Sequence, residues 1–408
     1  MRSRDIYMMV TVGLFFRICV SIWNGFWGPS LGANADATSF HKAASNLYLY
    51  PGPMSELSEI AARGQHHLYY HPDYAHGFHL LDSLYAKLLA RAYFISTDSL
   101  FIGGLFSALA WSVSALILVQ IMQLLEVKKR DQFIAMVIYS LMPSSILFTG
   151  VTLREPFQLL IVNTTLFAVL KVYLNNSIKF GIFLIPLIYI MEKFHFSLFF
   201  LGLFMVFALL VLLLLKNWDN VFLSKGIFMA PVIVLIVYFT LFRKGLTNFI
   251  PYYGTDKVLS TAAITSFLTN SISANIAGEV RTQFLHKIEI QGIIDFLFFL
   301  PNNFFHYLFE PMPWHVSSIM DICILLENIL RAALIFKGIS TIYHTLTPHR
   351  RLVIFTFFSY LIFEAVWSIG TVNWGTAIRH HVPAAGLLLA GAFAYSKKVQ
   401  NQNLMQIQ

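Results

Sequence analysis

Ser197-Leu-Phe-Phe-Leu-Gly-Leu-Phe-Met-Val-Phe-Ala-Leu-Leu-Val-Leu-Leu-Leu-Leu215 runs without a charged residue. A bilayer core about 30 Å thick requires roughly 20 apolar residues of helix. A soluble helix of that length would alternate apolar and polar faces, and this one does not, so the segment reads as a membrane span. The composition extends the reading to the whole chain. Of 408 residues, 57% are hydrophobic and 12% are charged, against about 25% charged in an ordinary soluble domain. The expected fold class is an all-α polytopic membrane protein, a single integral membrane domain over residues 1–408.

Outward from 197–215, further spans are expected near 7–24, 99–124, 132–151, 156–171, 180–191, 226–243, 319–338, 352–370 and 381–396, about ten transmembrane helices in all. Lys and Arg orient them, because basic loops are retained in the cytoplasm. Arg2 and Arg4, Lys128-Lys129-Arg130, Lys171 and Lys179, Lys216 and Lys225, Arg350 and Arg351, and Lys397 and Lys398 all fall on one side when ten spans are threaded. Both termini are then cytoplasmic. The net charge of +8 reflects this topology and contact with anionic lipid heads; no nucleic-acid motif accompanies it. The first apolar run is longer than a signal-peptide core, carries Arg17, and has Ala33-x-Ala35 too far beyond it for cleavage, so it is expected to remain as a span. Cys19 and Cys323 lie inside expected spans and imply no disulfide framework or metal site.

Two long extracytoplasmic loops, 25–98 and 244–318, are expected to carry short interfacial helices. Phe78 to Tyr93 has apolar residues at three- and four-residue steps, the pattern of an amphipathic helix. The second loop contains Leu300-Pro-Asn-Asn and Glu310-Pro-Met-Pro-Trp-His315, whose three prolines are expected to cut any helix.

The residues able to do chemistry gather on the face opposite the basic loops. Asp36 and His41 follow the first span, Arg154 and Glu155 the third, Lys193 and His195 lie between the fifth and sixth, and Arg379, His380 and His381 precede the last. A charge at the membrane edge is a functional hypothesis by default, against the alternative of local pairing or snorkelling. In Ser368-Ile-Gly-Thr-Val-Asn-Trp-Gly-Thr-Ala-Ile-Arg-His-His-Val-Pro383, Asn373, Trp374 and Arg379 offer polar, stacking and anion-binding groups. The competing reading of that segment is a turn with an interfacial Trp. Arg17, Asp321, Glu327, Arg331 and Glu364 fall in or near spans and are expected to pair with one another between helices, the alternative being an ion pathway.

Asp36 with Phe40 and Ala43-Ala44, the Pro143-Ser-Ser…Leu153-Arg-Glu-Pro156 segment, Glu310-Pro-Met-Pro-Trp314 and Asn373-Trp-Gly-Thr-Ala-Ile-Arg-His-His-x-Pro383 together resemble bacterial membrane glycosyltransferases of the GT-C type, over most of the chain. The resemblance implies an inverting enzyme of surface-polysaccharide assembly in the bacterial inner membrane. It would move sugar from a polyprenyl-linked phosphate donor to a glycan or lipid acceptor on the extracytoplasmic face. Asp36 corresponds to the family's first-loop carboxylate and would be the base. Arg379 would meet the phosphate, supported by Arg154, Lys193 and His195, with Glu155, His41, Asn373, Trp374 and His380 as further substrate contacts. Many relatives carry a second loop carboxylate, sometimes with a divalent metal; here its nearest counterpart is Glu155, beside Arg154. A repeat-unit polymerase would use the same donor. A transporter of lipid-linked glycan or small solutes is the reading from another class, and no paired, interrupted halves are visible to favour it.

Overall fold

The protein was analysed as a computed structural model, which describes residues 3–28, 34–49, 83–216, 281–284 and 293–395. Among these residues there are helices and no strand, with one isolated antiparallel bridge between Gln283 and Asn373. In chain order the helices are α1 (Ser3–Phe26), α2 (Asn34–Leu49), α3 (Leu84–Ile95), α4 (Leu100–Leu124), α5 (Lys129–Leu141), α6 (Pro143–Thr149) and α7 (Glu155–Asn175). There follow α8 (Ile178–Phe194), α9 (Phe196–Lys216), α10 (Ile293–Phe309), α11 (Ile319–His344), α12 (Thr347–Ile369), α13 (Trp374–His380) and α14 (Ala385–Phe393).

Five of the described helices are long and apolar enough to cross a membrane: α1, α4, α7, Ser197–Lys216 of α9 and His349–Ile369 of α12. The pair α5 and α6, bent by 55°, makes a sixth if counted as one broken span. The fold is therefore that of an α-helical, multi-pass membrane protein. The other expected spans look different in three dimensions. The 180–191 run lies in α8, a 17-residue helix with Pro186 inside it. The 319–338 run lies in the 26-residue α11, which carries Asp321, Glu327, Arg331 and Lys337. The 381–396 run is a 3-10 turn, Val382–Ala384, followed by the nine-residue α14. The 226–243 run lies outside the described residues, as do Tyr69 to Tyr74 and most of 244–318. Pro301 does not cut a helix as expected: α10 continues through it. One interior proline removes a single backbone donor, and packing can outweigh that loss.

Close helix approach comes from small residues, as between membrane helices generally. At Gly104 of α4 a Cβ would lie 2.8 Å from both the Gly150 carbonyl oxygen and Ser21 Oγ, so α1, α4 and the end of α6 meet backbone to backbone. Ser21 Oγ fills the gap by donating to Gly150 O at 2.8 Å.

The break between α5 and α6 shows how a buried arginine is held. Pro143 ends the continuous hydrogen-bond ladder and opens α6. The freed Ser144 N–H is taken by Glu327 Oε1 of α11 at 2.7 Å, a carboxylate at a helix N-terminus where the orphan donors favour it. Arg17 of α1 reaches across the same break. Its Nε donates to Thr149 Oγ1 (2.6 Å), Nη1 to Gly13 O (2.8 Å) and Ser140 O (3.0 Å), and Nη2 to Ser145 Oγ (2.9 Å). Its guanidinium carbon lies 3.4 Å from the Trp111 ring centroid. The expected pairing among Arg17, Asp321, Glu327, Arg331 and Glu364 is not what forms. Arg331 Nη1 donates to Leu308 O and Asn328 Oδ1, Glu364 accepts from His381, and Asp321 accepts from Arg281 and Trp374. The two arginines take carbonyl, hydroxyl and amide oxygens, while the carboxylates take a backbone N–H freed at the helix break, Arg281, Trp374 and His381.

The bundle has two chemically different ends. At one, Lys216 donates to Tyr173 O and Asn176 Oδ1, Arg351 donates to Leu215 O, and Tyr395 N donates to Leu125 O. At the other lie the start of α2, the start of α7, the α8–α9 turn and α13.

Candidate functional site

The second end brings together side chains far apart in sequence. Asp36 sits in the first turn of α2, where the helix dipole favours a carboxylate. That helix is seated by Phe40, edge-on to Tyr85 of α3 with centroids 5.0 Å apart, and by buried Ala37 and Ala44. Glu155 opens α7 and is buried, its side chain 2% exposed. Arg379 bridges the two: Nη1 donates to Asp36 Oδ2, and Nε lies 2.9 Å from Glu155 Oε1.

Arg379 owes its place to a short helix pinned on both sides. Asn373 caps α13, its Oδ1 accepting the Thr376 N–H at 2.7 Å. Trp374 is buried, and its Nε1 donates to Asp321 Oδ1 at 3.3 Å. Just past the helix, His381 is bonded through Nδ1 to Glu364 Oε2 at 2.7 Å and through Nε2 to Tyr307 O at 3.1 Å.

Around this core stand a second arginine and two imidazoles. Arg154, the N-cap of α7, has its guanidinium 5.8 Å from the Phe40 ring centroid. Burial lowers its pKa, and the charge of Arg379 adds to that, with Glu155 and Asp36 opposing. For Arg379 burial also works against the charge, but Glu155 and Asp36 outweigh it and hold the guanidinium above its ordinary value. His195 is driven down to about 3 by burial and then by the charges of Arg154 and Arg379. Its Nδ1 accepts the Ser197 N–H at 3.2 Å, so the neutral ring carries its proton on Nε2. His380 is pushed well below its ordinary value by the same causes. Thr371 Oγ1 already donates to Trp367 O, so His380 donates Nδ1–H to that hydroxyl at 3.1 Å. Trp367 stacks on His195 at 4.8 Å and lies edge-on to His380 at 6.1 Å.

The site is thus two guanidiniums against two carboxylates, flanked by two neutral imidazoles. Compared with family models, curated proteins and solved structures, the chain matches none. The geometry alone must carry the chemistry. A divalent metal does not fit these residues, because the Arg379 guanidinium lies between the two carboxylates that would have to share the ion. Among the described residues no three His, Cys, Asp or Glu side chains are arranged as a ligand set. What the arrangement can do is bind an anion through the arginines and take a proton on a half-exposed carboxylate.

Six of the ten residues singled out in the sequence gather here: Asp36, Arg154, Glu155, His195, Arg379 and His380. The other four do different work. His41 bonds through Nδ1 to Tyr93 OH at 2.8 Å and lies 3.6 Å from Asp98, fastening α2 to α3. Lys193 is exposed and sits 3.4 Å from its neighbour Glu192. Asn373 is the cap and Trp374 the anchor of α13.

Sequence reasoning missed Trp367, which is one more aromatic in an apolar run. It also missed Glu310, which accepts from Nδ1 of His306 (2.9 Å) and of His315 (2.8 Å) and from the Met312 N–H (2.9 Å). Burial would raise the pKa of Glu310, but these bonds hold it below the ordinary carboxylate range. A carboxylate with histidines four before and five after it was the available signal.

Proposed function

We propose that the protein is an inverting membrane glycosyltransferase, transferring a sugar from a polyprenyl-linked phosphate donor to a glycan or lipid acceptor. The observation that carries this reading is the contact of Asp36 with Arg379 across 343 positions of sequence, with Glu155 and Arg154 alongside. A proton acceptor and an anion binder at one point are what displacement of a phosphate by a hydroxyl requires.

The acceptor hydroxyl oxygen attacks the anomeric carbon from the face opposite the phosphate, and its proton passes to the Asp36 carboxylate. The bond from the anomeric carbon to the phosphate oxygen breaks, its electron pair leaving with the phosphate. Arg379 meets the charge that develops there, its planar fork matching two phosphate oxygens. Arg154 adds positive potential. His195, neutral with Nε2–H, can donate to a ligand oxygen without adding charge.

The same reading includes the bacterial inner membrane, ten spans, cytoplasmic termini and a site open to the extracytoplasmic side. The segregation of Lys216 and Arg351 to the bundle end opposite Asp36 supports that orientation. The test is mass spectrometry of lipid-linked and surface glycans in a deletion strain complemented with wild type or with Asp36→Asn. A missing sugar restored only by wild type is the expected result. Shortened chains of complete repeats would assign a repeat-unit polymerase instead, and accumulation of a finished lipid-linked glycan would assign a transporter.

A further inference from the structure

Asp36 occupies Nη1 of Arg379 while Nε lies beside Glu155, so a phosphate that grips the fork through two N–H groups meets Asp36 there. The two carboxylates are not equivalent. The Asp36 side chain is 50% exposed and that of Glu155 2%. Solvent can take over an exposed carboxylate, which makes its pairing weak. A carboxylate stripped of its cation while buried has no such recourse, and Glu155 Oε2 already lacks a hydrogen-bond donor. An incoming anion can therefore exchange with Asp36 but not with Glu155. The surroundings favour the exchange: the charges of Arg154 and Arg379 are balanced by the two carboxylates, and burial beside the two arginines keeps both neighbouring imidazoles neutral.

We propose that Asp36 is a built-in competitor for the anion site on Arg379, displaced by the phosphate of the donor and thereby released to act as the base. The inference rests on the phosphosugar reading and adds an order to it. Without donor the base is tied to a guanidinium and is poorly placed to take a proton. With donor, the phosphate occupies Arg379, Glu155 keeps the guanidinium in place, and Asp36 turns to the acceptor. Donor thus binds before acceptor is activated.

The experiment uses the full chain in detergent and farnesyl phosphate as probe, with farnesol as the uncharged control, followed by isothermal titration at constant ionic strength. Asp36→Asn removes the competitor and should bind farnesyl phosphate roughly two- to fivefold more tightly than wild type. Asp36→Glu, which keeps the charge, should bind it as wild type does. Should the amide variant fail to fold, Asp36→Ser makes the same comparison. Farnesyl phosphate binding that is equal or weaker in the neutral variants overturns the competitor role and leaves the donor reading standing. Wild type and neutral variants that all bind farnesyl phosphate no better than farnesol overturn the donor reading and the competitor role with it.

Discussion

Arg17 and Arg379 are both largely withdrawn from water, and their partners differ in kind. Arg17 is fully buried and donates to two hydroxyls and two carbonyls, with Trp111 against its face. Among the described residues no carboxylate bonds to it. Arg379 is held by two carboxylates, one half exposed. The hydroxyls and carbonyls around Arg17 belong to the fold and cannot leave, so that arginine fastens α1 to the broken α5–α6 pair. An exposed carboxylate can leave, so Arg379 can exchange partners. The accessibility of the counter-charge, more than the burial of the cation, separates a structural arginine from one available to a ligand.

The sharpest way to break this distinction is Asp36→Asn. Turnover should fall by about 10² to 10⁴, the usual contribution of a general base, while the thermal midpoint in detergent stays near that of wild type. Glycan product at wild-type rate in membrane vesicles would remove Asp36 from the chemistry. Next, Arg17→Lys should destabilise by roughly 3 kcal/mol, since one ammonium cannot reach acceptors on opposite sides of a planar fork. Thermal melts in detergent read this directly, and an unchanged midpoint would mean that the hydrogen bonds of Arg17 are dispensable.

The imidazoles supply a pH test of intermediate size. His195 titrates near 3 in the fold against an ordinary value of 6.5. Between those values the unfolded chain binds the extra proton, so stability rises with pH there and is lost as pH falls below about 6.5. At pH 5 the loss approaches about 2 kcal/mol. The midpoint of wild type should drop from pH 7 to pH 5, and His195→Asn should flatten that drop; parallel curves would show that His195 does not carry it. The smallest effect belongs to Arg379→Lys. It should weaken donor saturation about tenfold, or ~1.4 kcal/mol, with less change in midpoint than Arg17→Lys. Equal destabilisation by the two lysine substitutions would erase the contrast between them.

Much of the site was legible in the sequence because polar residues in an apolar chain are few and their order places them at helix ends. Arg154-Glu155 before an apolar run, and Arg379-His380 after another, were visible in that way. Lys193 was visible by the same logic and does not join the site, since its side chain faces outward beside Glu192. His41 shows the limit differently: one helical turn past Asp36 and a little more, it points to Tyr93 of α3 and to Asp98 in the turn that follows. Rotation of a helix about its axis decides which of two neighbouring polar residues reaches a site, and on a helix as short as α2 the sequence pattern constrains that rotation weakly.

Membrane residence, helical class and the gathering of the reactive residues at one end follow from the sequence itself. The bilayer imposes a local, additive rule, about 20 apolar residues per crossing and basic residues retained on one side, and such a rule is written directly into composition. The partners of each charge were decided only by the tertiary structure. Arg379 meets Asp36 and Glu155, while Arg17 meets hydroxyls and carbonyls, because hydrogen bonds act over about 3 Å. Positions at that scale come from the break at Pro143, the glycine contacts of α4 and the two-sided pinning of α13 acting together.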